Sequence, residues 1–158
     1  MILVTVGTQD KSFKRLINEV DSLVNKKIIK DEVIMQTGYT EYKGNINHFA
    51  FTSEEELDEL VKKCDVLITH AGVGSIFKGL GYGKKVIAVP RLKKYHEHVN
   101  NHQLDISNNF KEMGYIMVVN DISDLGSTIK KVNKFNPKKL EIDNGELIET
   151  IEEFIDKI

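Results

Sequence analysis

Short apolar runs alternate with amphipathic stretches along this chain, and that alternation limits the folds open to it. "ILVTV" (2–6) is a continuous apolar, β-branched run ending at Gly7, the pattern of a strand buried on both faces. Phe13, Leu16, Ile17, Val20, Leu23 and Val24 then recur at helical spacing, which predicts an amphipathic helix from about Lys11 to Lys26. "EVIMQTG" (32–38) reads as a second strand stopped by glycine, and "INHFAF" (46–51) as a short third. Ser53, three residues before Glu56, opens a capped helix with Leu57, Leu60 and Val61 on one stripe. "DVLIT" (65–69), "KVIAVP" (85–90) and "YIMVV" (115–119) are further strands, with helices predicted over 75–83 and 98–114. Two terminal helices are predicted over 122–135 and 145–158. Strands and helices in this order imply right-handed βαβ units, hence an α/β, doubly wound, Rossmann-like parallel sheet. Such sheets bind ligands outside the carboxyl ends of their strands, where Gly7, Gly38 and the stretch 70–75 fall.

The 158 residues suit a single domain, with the last helices from about residue 122 belonging to it. A formal net charge of -2 argues against nucleic acid as a partner. The lysine pairs at 26–27, 84–85, 93–94, 130–131 and 138–139 are interspersed with acids and read as solvated faces, with a membrane-facing patch as the other reading. Cys64 is the one cysteine, which fits a reducing compartment and gives neither an internal disulfide nor a thiol pair for a metal. The apolar start reaches Gly7 too soon for a signal peptide, and no run approaches the roughly 20 residues that cross a bilayer. A cytoplasmic protein is therefore expected, anchored by something else if it works at a membrane.

"HAGVGS" (70–75) concentrates glycine and a small hydroxyl where a strand gives way to a helix. A helix start of that kind presents unpaired N–H groups and a positive dipole end to an anion, so Gly72, Gly74 and Ser75 form a candidate diphosphate cradle. The same composition also serves a turn that needs small residues for packing alone. The dinucleotide glycine fingerprint is incomplete here, and no glycine-lysine-serine or glycine-lysine-threonine tripeptide of a P-loop occurs. Thr8 and Gln9 follow the first strand and face the same cleft, or else cap the next helix. "GLGYG" (79–83) places costly glycines in a helix; a close approach to the sheet or to another chain would compensate, and Gly83 ends the helix.

"RLKKYHEHVNNHQ" (91–103) gathers Arg91, His96, Glu97, His98, Asn101, His102 and Gln103. Only His98 and His102 stand four apart and no H-E-x-x-H pattern occurs, so a metal site is not expected. Arg91 is a candidate bidentate phosphate clamp, and Asn101, His102 and Gln103 are candidate readers of sugar hydroxyls. A nucleophile elbow, G-x-S-x-G, is missing.

Taken in order, "VTVGT", "HAGVGSI", "KVIAVPR" and "EHVNNHQ" resemble the C-terminal, donor-binding half of GT-B glycosyltransferases of the MurG type. The likeness covers about residues 1 to 120 and is closest to the stand-alone subunits of split enzymes. These include the cytosolic subunit of the dolichol-linked N-acetylglucosaminyltransferase and the PssE or EpsF type of bacterial polysaccharide transferase, toward which "PR" and "EHVNNHQ" lean.

The resemblance implies a UDP-sugar donor held without metal or other cofactor. It implies Gly7, Thr8, Gln9, Gly72, Gly74, Ser75 and Arg91 at the diphosphate. Asn101, His102 and Gln103, with Glu97 and His98 beside them, would meet the donor sugar; Phe51, Thr52, Ser53 and Lys78 would border the base and ribose. Lys78 stands where many relatives carry a glutamate that accepts from the ribose hydroxyls, and lysine has no acceptor. The acceptor site and general base belong in this family to the other half, so the resemblance implies a membrane-anchored partner carrying a polyprenyl-diphosphate-linked sugar. The chain would then be recruited to the inner face of the membrane as part of an inverting glycosyltransferase for capsule or exopolysaccharide. Two other readings stand beside it: a non-catalytic subunit that activates a partner, and a self-sufficient nucleotide-sugar epimerase or hydrolase using the histidine cluster. A homodimer of the isolated chain is expected if the "VIAVP" strand and apolar helix faces lie open.

Overall fold

The computed structural model describes residues 1–140. Six parallel strands form one sheet: β1 (Ile2–Thr5), β2 (Val33–Gln36), β3 (Asn47–Phe49), β4 (Val66–Thr69), β5 (Lys85–Ala88) and β6 (Met117–Val118). Their spatial order is β3-β2-β1-β4-β5-β6, and each neighbouring pair is parallel. The chain winds outward from β1 in one direction and from β4 in the other. The crevice at the carboxyl ends of β1 and β4 is therefore the topological switch point at which open α/β sheets take ligands.

Successive side chains of a strand point to opposite faces, and here each face is covered. Val4, Met35, Ile68 and Ile87 point to one side, where Leu16, Ile17, Val20 and Leu23 of α1 (Lys14–Asn25) and Leu125, Ile129 and Val132 of α5 (Leu125–Val132) pack. Leu3, Leu67, Val86 and Ala88 point to the other. They meet Val61 of α2 (Glu54–Lys63), Ile76 and Leu80 of α3 (Val73–Gly81), and Ile106 and Phe110 of α4 (His102–Glu112). Because both faces are covered, the central strands read as unbroken apolar runs.

Ser53 caps α2 as its position predicts, accepting the Glu56 N–H at 3.1 Å. The Glu56 carboxylate does not return to Ser53; it takes the Thr52 hydroxyl. Gly79 must lack a side chain, since a Cβ there would lie 2.7 Å from Val86 Cγ2 and 2.9 Å from Leu67 Cδ2. Of the two compensations expected for the "GLGYG" glycines, close approach to the sheet holds for Gly79. Gly83 takes φ +70°, just past the helix.

Three expectations are corrected. Residues 98–101 are not helical: α4 starts at His102, after a 3-10 turn over Lys93–Tyr95, and Asn100 Oδ1 accepts the His102 amide at 3.0 Å. The last strand is two residues long, because Tyr115 and Ile116 are buried against the helical layer before the chain pairs with β5. The "VIAVP" strand is not an open surface: Val86 to Val89 are buried, and β5 lies between β4 and β6, which removes that basis for a homodimer. The helix predicted over 145–158 lies outside the described residues.

Candidate functional site: the mouth between β1 and β4

At the switch point two turns face each other across one imidazole. After β1 the chain bends at Gly7, whose φ is +78°. After β4 it runs through His70 and Ala71 to Gly72, the N-cap of α3. A Cβ on Gly7 would lie 2.6 Å from His70 Nε2, and one on Gly72 would lie 2.4 Å from His70 Cε1. Both glycines are thus required by the ring packed between them. Ala71, fully buried, holds φ +69°, a left-handed conformation that costs on the order of 1–3 kcal/mol for a non-glycine residue. The buried surroundings fix that turn, and with it the direction in which α3 leaves the sheet.

Gln36, at the end of β2, ties the first turn in place. Its Oε1 accepts the amides of Val6 and Gly7 at 3.0 and 3.1 Å, and its Nε2 donates to Gly7 O and Ala50 O at 3.0 and 2.9 Å. The Gly7 amide is therefore already engaged. The amides of the second turn are different: α3 has no side-chain cap and no acid in its first turn. Its first N–H groups lack intrahelical partners, and the dipole adds partial positive charge there. A Cβ on Gly74 would meet nothing within 4 Å, so packing does not explain that glycine. It borders a cleft of about 350 Å³.

The opposite wall belongs to the segment entering α2: Phe51, Thr52, Ser53, Glu54 and Leu57. Phe51 is 46% exposed and packs edge-to-face on the exposed Tyr39, with ring centroids 5.0 Å apart. Lys78, one turn into α3, closes the floor. Its ammonium lies 2.7 Å from Glu54 Oε1 and 2.7 Å from Asp58 Oδ1. Partial burial pulls the Lys78 pKa down, but the Asp58 and Glu54 carboxylates outweigh that and raise it. The position that holds a cation thus holds the Glu54 carboxylate at the cleft.

His70 lines the cleft as a neutral ring. Burial pushes its pKa down to about 3, and the Arg91 charge adds to this.

The loop after β5 is built otherwise. Arg91 is fully buried, its guanidinium donating to Val6 O at 2.7 Å, Lys11 O at 2.8 Å and Glu97 O at 3.1 Å, with its Cζ 4.9 Å from the centre of the Phe13 ring. Buried Glu97 forms a two-point ion pair with Arg15, at 2.9 and 3.0 Å, and accepts the Leu92 amide. Asn101 accepts the Lys93 amide, and His98 Nδ1 accepts the Asn100 amide. Burial, then the charge of Arg91, lowers the His98 pKa. His102 Nδ1 is buried with no partner among the described residues. Gln103 accepts the Arg91 amide and reaches His70.

The structure brings together Gly7, Thr8, Gly72, Gly74, Ser75, Phe51, Thr52, Ser53 and Lys78 around one cleft. Gln9 is half-buried just past the first turn and does not line it. Arg91 is a correction: its two terminal nitrogens donate to backbone carbonyls, and it is fully buried and does not line the cleft, so it is a strut and not a phosphate clamp. Glu97 is a second, since its carboxylate holds Arg15 and the loop backbone. Asn101, His102, Gln103 and His98 do not line the cleft. Sequence reading missed Gln36 and Glu54 as cleft residues, and placed His70 at the ligand-binding strand ends without giving it a role. The available signals were a polar residue closing an apolar strand, a histidine opening the glycine turn, and an acid directly after the Ser53 cap. Among the described residues, no group of three or more His, Cys, Asp or Glu is placed to hold a metal ion, and no helix is long and apolar enough to cross a membrane.

With this geometry in hand, the sequence profile of the glycosyltransferase family 28 C-terminal domain matches residues 1–158. The chain belongs to that family. It is 33% identical over 95 residues, 60% of this chain and 46% of the relative, to the UDP-N-acetylglucosamine transferase subunit ALG13 of Candida glabrata. It is 32% identical over 104 residues, 65% of this chain and 28% of the relative, to a Clostridium botulinum enzyme. That relative is the UDP-N-acetylglucosamine–N-acetylmuramyl-(pentapeptide) pyrophosphoryl-undecaprenol N-acetylglucosamine transferase. Human ALG13 matches at 31% over 129 residues, 73% of this chain and 10% of that protein. The family 28 chain thus spans less than half the length of these relatives. In fold it resembles the solution structure of ALG13, with a TM-score of 0.62 and 19% identity over 95% of this chain and 93% of that one. The calicheamicin glycosyltransferase CalG4 shares the fold with a TM-score of 0.59 and 12% identity, over 99% of this chain and 37% of that one.

Proposed function

We propose that this chain is the donor-binding part of an inverting glycosyltransferase that moves a sugar from a UDP-sugar to a lipid-linked acceptor. The observation that carries the reading is the uncapped start of α3 at the switch point, with open space in front of Gly74. Helix-start amides and dipole suit a diphosphate, and they stabilise it more as it departs with full charge. Thr8 and Ser75 add hydroxyls on the two sides of the mouth. Phe51 offers an aromatic face for the base. Glu54, 82% exposed beside Lys78, supplies the carboxylate acceptor that ribose hydroxyls need and that lysine lacks.

The relatives' names support UDP-N-acetylglucosamine as the first donor to test and a pyrophosphoryl-polyprenol as the acceptor class. The general base and acceptor site come, in this proposal, from a membrane-anchored partner subunit, with capsule or exopolysaccharide assembly as the setting. No metal or other cofactor takes part: the helix-start amides do the work of neutralising the diphosphate. Calorimetry with UDP and a UDP-sugar panel, in the presence of a chelator, tests the donor site. Saturable heat is expected, and its absence at millimolar nucleotide contradicts the reading. Mixing the chain with a partner, donor and lipid-linked acceptor tests the split site. Turnover only with the partner is expected; equal donor consumption without it favours a self-sufficient enzyme.

A further inference from the structure

His70 and Gln103 are 33 residues apart in sequence, yet their side chains meet with Nε2 of the amide 3.2 Å from Nδ1 of the ring. The other end of the same amide settles its orientation. Gln103 Oε1 lies 3.1 Å from the Arg91 backbone N–H, which can only donate, so the oxygen must face Arg91. The NH₂ then faces His70, and a ring nitrogen that receives an N–H must carry a lone pair. The neutral ring has one proton, and it is left on Nε2, the atom packed against the Gly7 turn at the cleft.

We infer that Gln103 is a positioning residue that fixes His70 in the tautomer with its proton on Nε2, so that β4 ends in an N–H donor at the cleft. Arg91 is part of the same device: its guanidinium is pinned by Val6, Lys11 and Glu97, which holds its amide where Gln103 needs it. The charged or titratable groups acting on the ring are Arg91 and His98, and both disfavour an imidazolium. A neutral donor gives direction without a charge that varies with pH. What the N–H serves rests on the donor-site reading above, but the tautomer does not depend on it.

Nitrogen-15 NMR of the ¹⁵N-histidine-labelled full chain without ligand reads the tautomer directly. The expected wild-type result is an unprotonated Nδ1 and a protonated Nε2 on His70, unchanged from about pH 8 to about pH 5. A proton on Nδ1 in the wild type overturns the inference. Gln103→Glu is nearly isosteric and still accepts from the Arg91 amide, but it presents only acceptors to the ring. Folded Gln103→Glu protein should therefore show His70 with its proton on Nδ1, and a ring that titrates inside that pH range. A wild-type pattern in that variant overturns it equally. Adding UDP separates the two claims: a shift of the Nε2–H signal at saturation supports the role at the cleft, and calorimetric binding without that shift overturns it. Absence of any UDP binding sinks the donor-site reading and leaves the tautomer result standing.

Discussion

Two loops leave the same edge of the sheet, one after β4 and one after β5, and they spend their residues in opposite ways. The loop after β4 is poor in side chains and leaves backbone amides open: Gly72 caps α3 without a side chain, and Gly74 faces empty space. The loop after β5 is rich in polar groups and closes on itself. Arg91, Glu97, Asn101 and Gln103 are bonded to backbone or to one another. Polar density in a loop is therefore no guide to ligand contact, because a buried polar group must find a partner and the nearest backbone satisfies it. Openness comes instead from residues that leave donors unpaired.

This contrast can be broken at several points. The largest effect belongs to Arg91→Met, which strips three backbone carbonyls of their donor. A stability loss of about 3–5 kcal/mol is expected from breaking a buried charged network, read as a fall in urea midpoint. A loss under about 1 kcal/mol would mean the loop stands without its strut.

The second effect concerns pH. The His70 pKa is depressed in the folded state to about 3, while the unfolded ring titrates near 6.5. Between those values the unfolded chain binds the extra proton, so stability falls as pH drops below about 6.5, by up to about 1.4 kcal/mol per unit. Urea unfolding at pH 5 should therefore show about 2 kcal/mol less stability than at pH 7 from this ring, and His70→Asn should flatten that part of the slope. An equal slope in both proteins would place the titration elsewhere.

A smaller, sharper effect separates binding from stability. Gly74→Ala adds a methyl to open space and a better helix former, so stability should hold or rise by about 0.5–1 kcal/mol. UDP affinity should fall about tenfold, because that methyl intrudes where the diphosphate approaches the amides. Unchanged affinity would mean the anion does not sit there. The smallest expected change is Ser53→Ala, about 1 kcal/mol of stability for a lost N-cap. It should alter the cleft only through fraying of the first turn of α2.

How much of this the sequence discloses follows from the same contrast. The β1, β4 and β5 runs, the Ser53 cap and the glycine turns were legible because their causes are local: periodicity, a capping side chain, a φ that glycine tolerates. Gly79 was half legible, since its cost was visible but not Val86 and Leu67 beneath it. The bonds of Gln36 to Gly7, of His70 to Gln103 and of Arg91 to Val6 were opaque, because those partners stand 29 to 85 positions away. The polar cluster 91–103 looks like a site through its side chains, yet the fold buries Arg91, Glu97 and Gln103 and spends them on internal bonds.

The central claim is that the start of α3, not the loop after β5, receives a nucleotide's diphosphate. A backbone-amide NMR titration of the full chain with UDP tests it most directly. The amides of Val73, Gly74 and Ser75 should show the largest saturable shifts, with the Asn101 to Gln103 amides moving little. Saturating shifts centred on residues 91–103, or no shift at 72–75 while UDP binds, would contradict the account.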